Sequence, residues 1–188
     1  MKVLLINGSP HGKGSTFSAL SVVEKVLNNK GIDTEQIHIG TNKIRGCIDC
    51  KKCSSTYRCV FDDDPCNDLI DAMVKADGVI IGSPVYFAGP NGTLCALLDR
   101  VFYAASTHGR LLSGKPAAAV ASCYRAGATA TLDRLNKYFA FSEMPVISSH
   151  YWNMVFEPDS SIADDRQGHS ILEKLGENMA DYLKKSLM

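Results

Sequence analysis

The chain has 188 residues, 45% of them hydrophobic, enough to bury one sizeable core and too few to argue for two, so a single domain over residues 1–188 is expected. Its 20 basic and 20 acidic residues cancel, which leaves no global field to draw the chain to nucleic acid or to an anionic membrane surface. The apolar run at residues 3–6 is far shorter than the core of a signal peptide, and no stretch approaches membrane-spanning length. Seven cysteines, an odd number, point to thiols kept reduced or held by metal over a disulfide framework, and a cytoplasmic chain is expected.

Residues 2–7, KVLLIN, are nearly continuously apolar and end in Gly8, Ser9 and Pro10, the pattern of a strand buried on both faces of a parallel sheet. After a loop of Gly and Ser, Phe17, Leu20, Val23 and Leu27 recur at helical spacing, and Gly31 marks the stop. Residues 34–39 alternate, with Ile37 and Ile39 on one face, as in a strand nearer the sheet edge. A cysteine-rich loop at 44–66 follows. Leu69, Met73 and Val74 then suggest a short helix before a buried strand at 78–82. Leu94, Leu97, Leu98, Val101 and Phe102 form the best-patterned helix of the chain. Residues 117–121 read as a fourth strand, Leu132, Leu135 and Phe139 as a helix, Val146 and Ile147 as a fifth strand, and Leu172, Leu175, Met179 and Tyr182 as a closing helix.

Strands alternating with helices predict an α/β fold, a three-layer, doubly wound, five-stranded parallel sheet with right-handed crossovers. Ligands in such sheets sit beyond the carboxyl ends of the strands where the strand order reverses, so the loops after the first, third and fourth strands are the places to look. Residues 148–168, with Trp152 and a polar run at 157–161, form the one irregular stretch and read as a lid or a subunit contact.

The first loop joins a buried strand to a helix start, where free backbone N–H groups and the positive end of the helix dipole favour an anion. Its spacing fits neither a Walker loop nor a GxGxxG fingerprint. Ser9, Ser15 and Thr16 offer hydroxyls and His11 or Lys13 charge, a set suited to one terminal phosphate monoester. Plain N-capping by Ser15 or Thr16 accounts for one hydroxyl only. In the third-strand loop, Pro84 stiffens a turn carrying Tyr86 and Phe87, which suits a flat heteroaromatic ring as well as simple core cover. In the fourth-strand loop Arg125 either sets a positive charge beside such a ring or a phosphate, or is a solvated surface cation.

Cys47, Cys50, Cys53 and Cys59 are spaced C-x2-C-x2-C-x5-C, three thiols in consecutive turns and a fourth downstream, which can converge on one inorganic core as in ferredoxin-type ligation. Lys43, Arg45, Lys51, Lys52 and Arg58 face only Asp49 within residues 41–60. Such cations are expected to lower thiol pKa values and to offset a cluster's negative charge. Spacing and charge favour a 4Fe–4S cluster, ahead of free or oxidised thiols and of zinc, with disulfides also open. Asp62, Asp63, Asp64, Asp68 and Asp71 read as a solvated turn and helix start. Cys66 is a spare ligand, Cys95 a packing residue, and the histidines His11, His38, His108, His150 and His169 are scattered, mostly surface residues.

The tripeptide at 8–10, GSPVY at 82–86 followed by Leu97, Leu98, Asp99 and Arg100, and Gly114, Lys115 and Pro116 before the fourth strand resemble the NADPH-dependent FMN reductase family. With the cysteine loop after the second strand, the chain most resembles the iron–sulfur flavoprotein branch, over nearly its whole length. The resemblance implies a flavodoxin-like fold with FMN. It puts the phosphate in the loop of Ser9, Pro10, His11, Lys13, Ser15 and Thr16, and the ring against Pro84, Val85, Tyr86, Phe87 and Gly89. Ser122, Cys123, Tyr124, Arg125 and Gly127 would close the other side. It further implies NAD(P)H or a ferredoxin as donor, a quinone, dioxygen or peroxide as acceptor, and a homodimer or tetramer. The resulting reading is an FMN-dependent oxidoreductase passing electrons between FMN and a cluster on the four cysteines, with no catalytic residue beyond the cofactor. A cluster-free NAD(P)H-dependent FMN or quinone reductase, and a flavodoxin-like carrier without turnover, stay open.

Overall fold

The three strands at the middle of the sheet are apolar on both faces, so both faces must be covered. The computed structural model describes residues 1–107, 109–156 and 164–186. Strand β1 (Lys2–Asn7) is buried from Val3 onward, β3 (Gly78–Tyr86) through Ser83, and β5 (Ala117–Cys123) throughout. Strand β2 (Asp33–His38) alternates and lies at the edge, and β6 (Met154–Phe156) closes the other edge, in the order β2-β1-β3-β5-β6 with all neighbours parallel. A two-residue strand, β4 (Gly89–Pro90), folds back antiparallel on the end of β3.

Alternation sends Val3, Leu5, Ile80, Ala118 and Val120 to one face, where α1 (Ser15–Asn29) and α6 (Arg166–Lys185) cover them. Leu4, Ile6, Val79, Ile81 and Ala119 go to the other, under α3 (Cys66–Lys75), α4 (Gly92–Ser106) and α5 (Ala128–Phe141). The predicted three-layer architecture is therefore found, with a one-turn helix α2 (Cys53–Thr56) added inside the cysteine loop. No helix among the described residues is long and apolar enough to cross a membrane.

One strand forms elsewhere than its sequence predicts. Val146 makes only an isolated parallel bridge with Ala117, whose N–H donates to the Pro145 carbonyl (2.8 Å) and whose carbonyl accepts from the Ile147 N–H (2.8 Å). The polar residues that follow have no apolar alternation to hold them to the sheet, and the chain bulges away before β6 rejoins β5. Across that gap the Asn153 side-chain amide donates to the Ala119 carbonyl (3.1 Å), and the Asn153 backbone carbonyl accepts from the Ala121 N–H (3.0 Å). The stretch expected to be irregular at 148–168 thus contains the edge strand, while its residues 157–163, like His108, lie outside the described residues. In α6, Ile171 and Leu183 join Leu172, Leu175 and Met179 in the core, and Tyr182 stays exposed.

Phe139 is the largest fully buried side chain and packs against the ring of Phe102 (centroids 6.1 Å apart). Phe139→Ala is expected to cost about 3–5 kcal/mol in urea unfolding; an unchanged midpoint would contradict the packing described.

Candidate functional site

The strand order reverses between β1 and β3, and the loops at the carboxyl ends of β1, β3 and β5 meet there. Gly8 lies so close to β3 that a Cβ on it would stand 2.9 Å from the Gly82 carbonyl, which accepts from the Gly8 N–H (2.8 Å). Thr16 and Ser122 share a hydrogen bond (2.7 Å) that ties the first loop to the end of β5. Gly127, at φ +89, packs so that a Cβ would come within 2.7 Å of the Ala88 Cα, which seats the β5–α5 loop on the β3–β4 hairpin.

Neither Ser15 nor Thr16 caps α1: the N-cap is Gly14, with no side-chain acceptor, and α5 likewise starts from Gly127 without one. By contrast Asn91 accepts from Thr93 and Leu94 at the start of α4, Asp165 from Gly168 at α6, and Asp64 from Cys66 at α3. The two helices that follow β1 and β5 therefore keep first-turn N–H groups free at the sheet's carboxyl edge, the arrangement that binds a phosphate. Asn7, at the end of β1, turns its carbonyl oxygen to the Ser9 N–H (3.0 Å) and leaves its buried Nδ2 without a partner. Ser9 is buried, its hydroxyl accepting from the His11 N–H, whereas His11 and Lys13 are exposed. This donor-rich cradle fits a phosphate.

At the hairpin tip Phe87 and Ala88 both have positive φ (49° and 59°), the pattern of a turn usually made by Asn and Gly. Holding such residues there costs of order 1–3 kcal/mol each, and strain of this kind gathers at binding sites. The turn leaves Phe87 fully exposed, with Tyr86 and Tyr124 half-exposed around it. Three unpacked aromatics beside a phosphate cradle suit a flat ring such as isoalloxazine. Arg125 is exposed beside them, and Pro84, Val85 and Gly89 are half-buried beneath. The thiol of Cys123 is buried in the core under α4 and α5, where burial raises its pKa, so this residue presents backbone to the loop.

All four spaced cysteines line one cavity of about 20 Å³, together with Phe61, Arg100 and Tyr103. Asp49, Lys51 and Tyr57 take left-handed conformations (φ 52°, 61° and 56°), turning the backbone around Cys50 and ending α2. Burial raises the Cys53 thiol pKa, and the nearby thiols of Cys50, Cys59 and Cys47 add to the rise. Among the described residues no three Cys, His, Asp or Glu side chains already stand close enough to hold a metal ion. The donor chemistry, four soft sulfurs around one cavity, fits an iron–sulfur core, and the thiols must draw together to close on it.

The Cys53 thiol does not show the lowering expected from surrounding cations, and three of those cations are held by carboxylate partners. Arg45 pairs with Asp63, Lys51 with Asp49, and Arg58 with Asp71 (2.8 Å). Nor is Asp64 solvated: it forms a buried ion pair with Arg100. Cys66 is buried behind Cys59, and burial pushes its thiol up to about 12. What the sequence does not show is the pairing behind the cysteine cavity. Asp64 and Arg100 are far apart in the chain, and only the fold pairs them. His38, whose Nε2–H donates to the Ser9 carbonyl (2.8 Å), was legible in principle, since a parallel edge strand sets it opposite Asn7.

A family model described as NADPH-dependent FMN reductase matches residues 1–159. An iron-sulfur flavoprotein of Methanocaldococcus jannaschii is 30% identical over 192 residues, covering 98% of this chain and 98% of that protein. The fold is similar to that of a flavone reductase (TM-score 0.76, 20% identity, 100% of this chain and 64% of that one). It is also similar to that of an archaeal flavodoxin (TM-score 0.66, 15% identity, 98% and 99%).

Burial alone would raise the Asp64 pKa, but bonds from Arg100 and from the backbone N–H groups of Cys66 and Arg45 hold it below its usual value. Its stabilisation is then present above about pH 4, the unfolded value, and is lost as pH falls through the lower folded value. Asp64→Asn is expected to cost about 3–5 kcal/mol at neutral pH, by stranding a buried cation, and to flatten the acid limb of stability measured by urea unfolding. A variant as stable as the parent at pH 7 would contradict the pairing.

Proposed function

This chain belongs to the NADPH-dependent FMN reductase family of FMN-binding oxidoreductases, and from that premise we propose that its cysteine loop holds a 4Fe–4S cluster that exchanges electrons with FMN. The observation that carries the cluster is the convergence of Cys47, Cys50, Cys53 and Cys59 on one cavity, in a loop held by three left-handed residues. A full-length relative named as an iron-sulfur flavoprotein supports it. FMN supplies two-electron exchange with a small substrate and one-electron exchange with a metal centre.

Each group of residues then has a task. The open N-terminus of α1, with Ser9, Pro10, His11, Lys13, Ser15 and Thr16, holds the phosphate. Pro84, Val85, Tyr86, Phe87 and Gly89 support one side of the ring. Ser122, Tyr124, Arg125, Gly127 and the backbone of Cys123 close the other, with Arg125 supplying a cation for negative charge on the ring. The reading extends to NAD(P)H or a ferredoxin as donor, a quinone, dioxygen or peroxide as acceptor, a homodimer or tetramer, and a cytoplasmic setting.

A second reading, a cluster-free NAD(P)H-dependent FMN or quinone reductase, is favoured by the open spacing of the thiols. Anaerobic reconstitution with iron and sulfide separates the two. One cluster per chain, lost in Cys47→Ala and Cys50→Ala with FMN retained, is the expected result. Absence of iron uptake, with NADPH oxidation unchanged in both variants, selects the cluster-free enzyme. The phosphate site has its own test. Ser15→Asp sets a carboxylate where the helix dipole favours it, so the apoprotein keeps its stability, but it repels a phosphate. FMN binding followed by flavin fluorescence is expected to weaken by about tenfold or more, ~1.4 kcal/mol; unchanged affinity would move the phosphate elsewhere.

A further inference from the structure

Helix α4 turns Leu94, Leu97, Leu98 and Val101 into the core, and with them Arg100, only 2% exposed. A guanidinium out of water must have partners for its donors, and all of them lie on the cysteine loop. Nη1 donates to the Arg45 carbonyl (3.2 Å) and to Asp64, Nη2 to the Phe61 carbonyl (3.4 Å), and Nε to the Sγ of Cys59 (3.2 Å). The Phe61 ring stacks beneath the cation, 5.5 Å from its centre. The ion pair with Asp64 would be satisfied with Nε facing any acceptor. It faces one of the four thiols instead.

We infer that Arg100 is the positioning residue of the cysteine clamp, fixing Cys59 Sγ toward the shared cavity and remaining its hydrogen-bond donor when that sulfur ligates a cluster. The inference rests on the cluster reading above and adds a consequence. A donor to a ligating sulfur stabilises the more electron-rich state and so raises the cluster's reduction potential. Only the planar fork of arginine serves a carboxylate, two carbonyls and a sulfur at once. Lysine, a point charge, can keep Asp64 paired but cannot also reach Cys59.

Arg100→Lys is therefore the variant to test, with Arg100→Met combined with Asp64→Asn, which removes both charges together, as the second should the first not fold. In the anaerobically reconstituted protein the cluster midpoint is expected to shift to lower potential while the FMN midpoint stays in place. In the cluster-free protein, iodoacetamide labelling mapped by mass spectrometry is expected to show Cys59 reacting several-fold faster in the variant, with Cys47 and Cys50 unchanged. A fully loaded variant with the parent's cluster midpoint would overturn the inference and leave the cluster reading standing. A parent protein that takes up no iron overturns the cluster reading and the tuning role with it. Unchanged Cys59 labelling in that protein removes the positioning role too.

Discussion

Arg100 sits on α4 with its charge out of solvent, and its donors reach Arg45, Cys59, Phe61 and Asp64 in one loop. Removing a charge from water is costly unless every donor is met, so the loop must fold over the guanidinium if α4 is to pack at all. That constraint turns a stretch of little apolar content into a fixed structure. It also accounts for Asp64, which leaves the run of surface aspartates to pair inside, and for the seating of Cys66 beneath the clamp. The same helix begins at Gly92, immediately after the β3–β4 hairpin, so one rigid element joins the cysteine cavity to the loops at the carboxyl edge of the sheet. Its rise from Gly92 to Arg100 is about 12 Å.

The second site is built by omission. Two helices whose first turns have no side-chain cap point their N–H groups to the carboxyl edge of the sheet, and a hairpin holds Phe87 and Ala88 in a conformation that neither residue favours. Each is a local cost that a stable fold would ordinarily avoid, and a bound phosphate and ring would offset both. The three loops are held in register by contacts that leave no room for a side chain at Gly8 and Gly127 and by the Thr16–Ser122 bond.

Much of this was legible in the chain itself. Strands buried on both faces announce a parallel sheet, and their loops announce the cradle at its carboxyl edge. The fifth strand was not legible, because Val146 and Ile147 are too short an apolar pair to hold the sheet, and the side chain of Asn153 bridges the break with a hydrogen bond that no periodicity encodes. Charge counting failed for a related reason. The cations of the cysteine loop and the aspartates after it are adjacent in sequence and read as two opposite patches. In the folded chain Arg45 and Arg58 pair with Asp63 and Asp71, and burial is the first cause of the raised pKa at Cys53. Arg100 was visible as part of a motif, but its task depends on a loop some 40 residues upstream.

FMN and an iron–sulfur cluster held together in one chain would give the protein two chromophores. The absorption spectrum of anaerobically purified protein tests this pairing most directly. Flavin bands lying on a broad iron–sulfur shoulder that bleaches with dithionite are the predicted result, whereas flavin bands alone would contradict the account.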